Sequence, residues 1–184
     1  MESFRLLAQD LQLLGAPQAL IERARSAAAD EVVHTNLMNH LAAAHGGVSR
    51  AVPFRPVPQR SLFELALENA EEGCTKETFA ALVALHQASY ATDHEVASCM
   101  KRIAQDELRH GQLAWDLHQW FLSQLPSLEA EQLEQAMLRS LQNLSTVPFR
   151  NPMNEQDSRR LGLPSKAMLP RLASRLAQVL ASAA

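Results

Sequence analysis

Asp-Glu-x-x-His occurs twice in this chain of 184 residues, once as Asp30, Glu31 and His34 and again as Asp106, Glu107 and His110. A glutamate and a histidine three residues apart share one face of an α-helix, about 4.5 Å apart along its axis, so a carboxylate oxygen and an imidazole nitrogen can reach one ion. Fourteen glutamates and seven histidines in a chain of this length yield about half of one such spacing by chance. Two copies, each preceded by aspartate and each inside a long amphipathic pattern, carry more weight. The chemistry they predict is a two-metal site in which each motif makes half of the ligand shell.

The neighbours of each motif indicate which way it points. Ala24, Ala27, Ala28, Glu31, His34, Thr35, Met38 and Ala42 fall on one helical stripe, and Val96, Met100, Ile103, Glu107, His110 and Ala114 fall on another. Both charged pairs are therefore expected to point inward. An ionised carboxylate in an apolar stripe costs several kcal/mol unless it is paired or metal-bound. A buried, hydrogen-bonded Glu/His network without metal is the plainer alternative. Asp30 and Asp106 lie one residue off the ligand face. They are expected to accept an N–H from the opposite hairpin's histidine, with surface charge as the competing role.

These faces need helices to carry them. Alanine, leucine, glutamine and glutamate dominate while glycine is scarce, so the fold class expected is all-α. Leu6, Leu7, Leu11, Leu13 and Leu14 mark a short helix ending at Gly15. A long helix follows from about Pro17 to His45, closed by Gly46 and Gly47. Pro53, Pro56 and Pro58 make the next stretch an extended crossover. Ser61 with Glu64 reads as a capping box opening a third helix to about Tyr90, and Asp93 caps a fourth to about Leu125. A fifth helix is expected over 127–144, an irregular stretch over 145–166, and a last amphipathic helix despite Pro170. Short turns at 15 and 91–93 predict two antiparallel hairpins joined by one long crossover. The expected domains are 1–125, a metal-binding bundle, and 126–184, a helical extension packed on it.

Composition excludes several function classes. A formal charge of −3 with scattered Lys and Arg does not suit nucleic acid or an anionic membrane. No apolar run approaches the ~20 residues of a membrane span, and the charged N-terminal residues do not read as a secretory signal. Two cysteines inside helical patterns, Cys74 and Cys99, suggest a reducing cytoplasm rather than a disulfide framework. His40, His45, His86, His94 and His118 have no carboxylate at ligand spacing and are expected at the surface or at helix ends.

Glu-x-x-His on each of two helices, with one glutamate from each of two others, resembles the ferritin-like di-iron carboxylate superfamily of ferritins, rubrerythrins and bacterial monooxygenases. The stretches "LLGAPQALIERARSAAADEVVH" and "ENAEEGCTKETFAALVALHQASYATDHEVASCMKRIAQDELRHGQLAW" resemble a bacterial branch of it, so the resemblance covers residues 1 to about 125. It implies a four-helix bundle and two further glutamate ligands. Glu72, at nearly the separation from Glu107 usual in that superfamily, is placed first. Glu77 is second: it lies on a stripe with Ala66, Ala70, Gly73, Cys74, Ala81 and Ala84. "ESF" at 2–4 and "ETF" at 77–79 precede the two motifs at nearly equal spacing, so Glu2 is the counterpart of Glu77 in a pseudo-symmetric repeat. A counterpart of Glu72 would fall before Met1, which departs from the family pattern.

The function expected from the resemblance is a di-iron or iron–manganese redox enzyme acting with dioxygen or peroxide on a small-molecule substrate. The cofactors are two metal ions, iron first and manganese second, and a homodimer is one assembly open to such a chain. Two alternatives stand beside it. One is a ferroxidase or iron-handling protein, and the other a metal-free helical interaction module that docks through the C-terminal helix.

Overall fold

A computed structural model describes residues 2–48, 58–144 and 154–183, with backbone alone for Glu2 and for 181–183. It is all-helical, with no strand among the described residues. The chain divides into two compact units, Met1–Leu65 and Ala66–Ala184. The proline-rich crossover lies largely outside the described residues.

In the first unit, helices α1 (Glu2–Leu13) and α2 (Gln18–Ala44) pack as a hairpin. Gly15, at φ +72°, turns the chain after α1. Its N–H donates to the Gln12 carbonyl and that of Ala16 to the Leu11 carbonyl, which satisfies two carbonyls that helix ends leave over. Gly46, at φ +74°, closes α2 in the same way, with Gly46 bonded to Ala43 and Gly47 to Ala42. Ala8, Leu11, Ala16, Ile21, Ala24, Ala27 and Leu41 are buried apolar residues of the hairpin. Arg60 Nε donates to Asp10 Oδ2 at 2.8 Å, tying the chain past the crossover to α1.

The capping box at Ser61 and Glu64 forms as its sequence predicts. Ser61 N–H and Oγ reach Glu64 Oε2 at 2.8 Å, and Glu64 N–H donates back to Ser61 Oγ at 3.2 Å. These hydrogen bonds hold the Glu64 carboxyl below its usual pKa. Helix α3 (Leu62–Glu68) runs without a break through a π-helical segment, Asn69–Glu77, into α4 (Thr78–Tyr90). That long helix and α5 (His94–Gln124) form the hairpin of the second unit. Asp93 caps α5 by accepting from the N–H groups of Glu95 and Val96. Helix α6 (Ser127–Leu144) packs on the π segment. A short helix, α7 (Glu155–Arg160), capped by Asn154, stands within the stretch expected to be irregular. Helix α8 (Met168–Ala183) accepts Pro170 because the first turn needs no intrahelical donor there. Its Leu169 and Ala173 are buried with Phe79 of α4 and Leu144 of α6, flanked by Leu82, Val83, Leu172 and Leu176.

Candidate metal centre

Helix α5 presents Glu107 and His110 from a broadly buried face. Val96, Met100, Ile103 and Ala114 of the expected stripe are all buried, as are Leu113, Leu117 and Phe121 beside it. Glu107 is 8% and His110 3% exposed, and His110 Nδ1 lies 3.3 Å from Glu107 Oε2. Glu77, the last residue of the π segment, brings a third donor: one ligand atom each from Glu77, Glu107 and His110 lie within 4.8 Å of one another. Two donors on opposite sides of one ion at ~2.2 Å are about 4.4 Å apart. Closing on an ion therefore asks only for small side-chain adjustments.

The π segment accounts for which glutamate arrives. Each π turn spans more residues than an α turn, so the face presented after it lags behind what a 3.6-residue period predicts. Ala70, Cys74, Thr75 and Phe79 are buried in succession, and the Thr75 hydroxyl donates to the Ala70 carbonyl five residues back at 2.9 Å. Glu72, placed first from the sequence, is exposed and paired with Lys76. Glu77, placed second, is the one brought to Glu107 and His110.

In the first unit, His34 Nδ1 lies 3.1 Å from Glu31 Oε1, with His34 buried and Glu31 half-buried, so both motifs adopt the same local geometry. The Thr35 hydroxyl donates to the Glu31 carbonyl. The predicted α2 stripe is buried at Ala24, Ala27 and His34 but not beyond: Thr35 is exposed and Met38 is 47% exposed. Glu2 opens α1, and its side chain lies outside the described residues. Asp30 is half-buried. Asp106 is fully buried and accepts from Arg109 at 2.6 Å and Arg102 at 3.1 Å, both on its own helix.

Close packing surrounds the three-ligand group. A Cβ on Gly111 would meet the Thr78 hydroxyl at 3.3 Å, and one on Gly73 would meet the Ala114 Cβ at 2.8 Å. These glycines let α5 approach α4 and the π segment. Asn69 Nδ2 donates to the Ala114 carbonyl at 2.9 Å, and the Cys74 thiol reaches the same carbonyl at 3.4 Å. Burial pushes the Cys74 thiol up to about 12, partly offset by the Asn69 amide. It stays protonated near neutral pH. His118, expected at the surface, is instead 2% exposed on α5, two turns past His110. Burial holds its pKa below the usual value, and its Nδ1 has no hydrogen-bond partner among the described residues. The signal was available, since His118 continues the α5 stripe four residues beyond Ala114. No family model, curated protein or solved structure matches the chain. Its chemistry is therefore read from the donors themselves. Two carboxylates and an imidazole suit iron, manganese or zinc better than thiolate-seeking ions. Among the described residues no helix is long and apolar enough to cross a membrane.

Proposed function

We propose that this chain is a ferritin-like carboxylate protein that holds two metal ions, iron first and manganese second, and works as a redox enzyme with dioxygen or peroxide. The observation that carries the reading is the convergence of Glu77, Glu107 and His110 within 4.8 Å, with Glu107 and His110 buried and Glu77 half-buried. Three donors of these types are an incomplete shell for such an ion, which leaves positions for further ligands. Glu31 and His34, repeating the local geometry of Glu107 and His110, are proposed to bind the second ion. The internal repeat then favours Glu2 as the counterpart of Glu77, because both precede their motifs at nearly equal spacing. When bound, paired ions of this kind supply one-electron steps and Lewis acidity for reducing dioxygen or peroxide. The protein's part is to fix the donors: Glu107 and His110 are held buried by α5, and Glu77 by the end of the π segment.

Metal analysis after anaerobic Fe(II) loading tests the reading. Wild type should bind up to two ions. Glu77→Gln and Glu107→Gln should each weaken one ion by at least about tenfold, while Glu72→Gln should retain wild-type content. Metal content unaffected by Glu77→Gln and Glu107→Gln would refute the assignment. A metal-free reading is favoured by one observation: the His34–Glu31 and His110–Glu107 contacts, at 3.1 and 3.3 Å, already pair the buried polar groups. Wild type that retains no metal would select it.

A further inference from the structure

Helix α7 is six residues long and has no buried residue. A helix that short is not stable by itself in water, because its few hydrogen bonds do not recover the cost of nucleation. Its exposed Arg159–Glu155 pair adds little. What holds it is the turn between α4 and α5. The N–H groups of Thr92 and Asp93 donate to the carbonyls of Arg159 at 3.3 Å and Arg160 at 3.2 Å, and carbonyls in the last turn of a helix have no intrahelical donor. Gln87 Nε2 donates to the Leu161 carbonyl at 3.0 Å. Arg160 Nη2 lies 3.5 Å from Asp93 Oδ2, while Oδ1 of the same carboxylate caps α5. A Schellman motif ends α7: Gly162 N–H bonds to the Arg159 carbonyl and Leu163 N–H to the Ser158 carbonyl, with Gly162 at φ +63°. Gly162 is buried, and a Cβ on it would stand 2.4 Å from Ala91 N and 2.7 Å from the Gln87 carbonyl oxygen. Beside this contact is an open groove of about 470 Å³ lined by Thr92, Glu155, Gln156, Arg159 and Arg160, so α7 meets the turn through its C-terminal end.

We propose that residues 154–163 form a clasp that folds onto the α4–α5 turn and releases from it as one unit, while α4 and α5 stay folded. α7 is helical only while docked, and the turn amides are protected only while α7 is helical, so both belong to one opening. Hydrogen bonds and one closely packed glycine, with no side chain of α7 in the core, put that opening at the low-stability end of the molecule. The turn stands about 20 Å along α5 from Glu107. Release of the clasp therefore leaves Glu77, Glu107 and His110 in place, and the inference is independent of the metal reading.

Amide hydrogen exchange of the full-length protein, read residue by residue, tests the clasp. In wild type the amides of Thr92, Asp93 and Leu163 should share one opening equilibrium and be less protected than Leu117 in the buried stretch of α5. Asn154→Ala removes the side-chain oxygen that accepts the Asp157 N–H at 2.8 Å, at the other end of α7 from the turn. It should speed exchange at Thr92 and Asp93 about fivefold, the worth of a helix cap, with Leu117 unchanged. Asn154→Ser, which restores a cap, should return both amides to within about twofold of wild type. Gly162→Ala, which puts a side chain into the packed contact at positive φ, should speed them on the order of a hundredfold. Asn154→Ala lies outside that contact and decides the matter even where Gly162→Ala does not fold. Unchanged exchange at Thr92 and Asp93 in Asn154→Ala would overturn the proposal, because α7 would then fray without freeing the turn. Equal acceleration of Thr92, Asp93 and Leu117 in the same variant would overturn it too, since the opening would be that of the whole unit.

Discussion

At Cys74 the thiol is fully buried, held by the Asn69 amide and the Ala114 carbonyl, with its pKa pushed up to about 12. Cys99 is also raised, by burial and by the charge of Glu95. Because the thiolate is the reactive species, neither side chain should react at an appreciable rate with a disulfide reagent at pH 8 in the native protein, whereas both should react once it is unfolded in urea. Rapid native labelling would show that α5 and the π segment separate readily. His118 makes the converse case for an imidazole, since burial lowers its pKa below 6.5. Below that value the unfolded chain takes up a proton that the folded chain resists, so the unfolded state binds more protons and stability falls as pH drops towards the folded pKa. At neutral pH the penalty is absent. His118→Leu should therefore lose less stability between pH 7 and pH 5 than wild type does, measured by urea unfolding. Parallel losses would place the titration on other groups, His86 among them, whose pKa burial also lowers.

The π segment decides the second unit's site at the scale of elements. Its packing against α5 is close at Gly73, where a Cβ would stand 2.8 Å from the Ala114 Cβ and 2.9 Å from Asn69 Oδ1. Gly73→Ala would gain about 1 kcal/mol of helix propensity but lose roughly 1–3 kcal/mol to overpacking. A net destabilisation of up to about 2 kcal/mol is expected in urea unfolding. A more stable variant would show that α5 yields at this point. Element ends were readable because caps are local chemistry: Gly15, Gly46, the Ser61–Glu64 box and Asp93 each act within one turn. The π segment was not, since Ala66, Ala70, Cys74, Ala81 and Ala84 fit an unbroken 3.6-residue period nearly as well. That is why spacing placed Glu72 first while Glu77 is the glutamate that lies near Glu107 and His110, and why α7, six residues long, left no periodic trace.

For the molecule as a whole, metal binding and folding should be linked. A ligand that binds only the folded chain stabilises it by about 2.7 kcal/mol at a hundredfold excess over Kd. Fe(II)- or Mn(II)-loaded protein should therefore unfold at a higher temperature than protein treated with a chelator. Equal unfolding temperatures would favour the metal-free hydrogen-bonded network instead. The Glu77→Gln variant, with one donor removed, should show a smaller difference between its loaded and chelated forms than wild type.

The sequence by itself determined the helical class, the hairpin turns and the two Glu-x-x-His pairs, because propensity, capping and i,i+3 spacing are local properties that survive without any tertiary neighbour. It did not determine which additional glutamate joins Glu107 and His110, or whether His118 is wet or buried. Those depend on how the long helix carrying Glu77 is wound and how closely Gly73 and Gly111 let α5 approach it. Only the packed fold sets both, since the register of a π segment and the distance between two helices are chosen by side chains far apart in the chain.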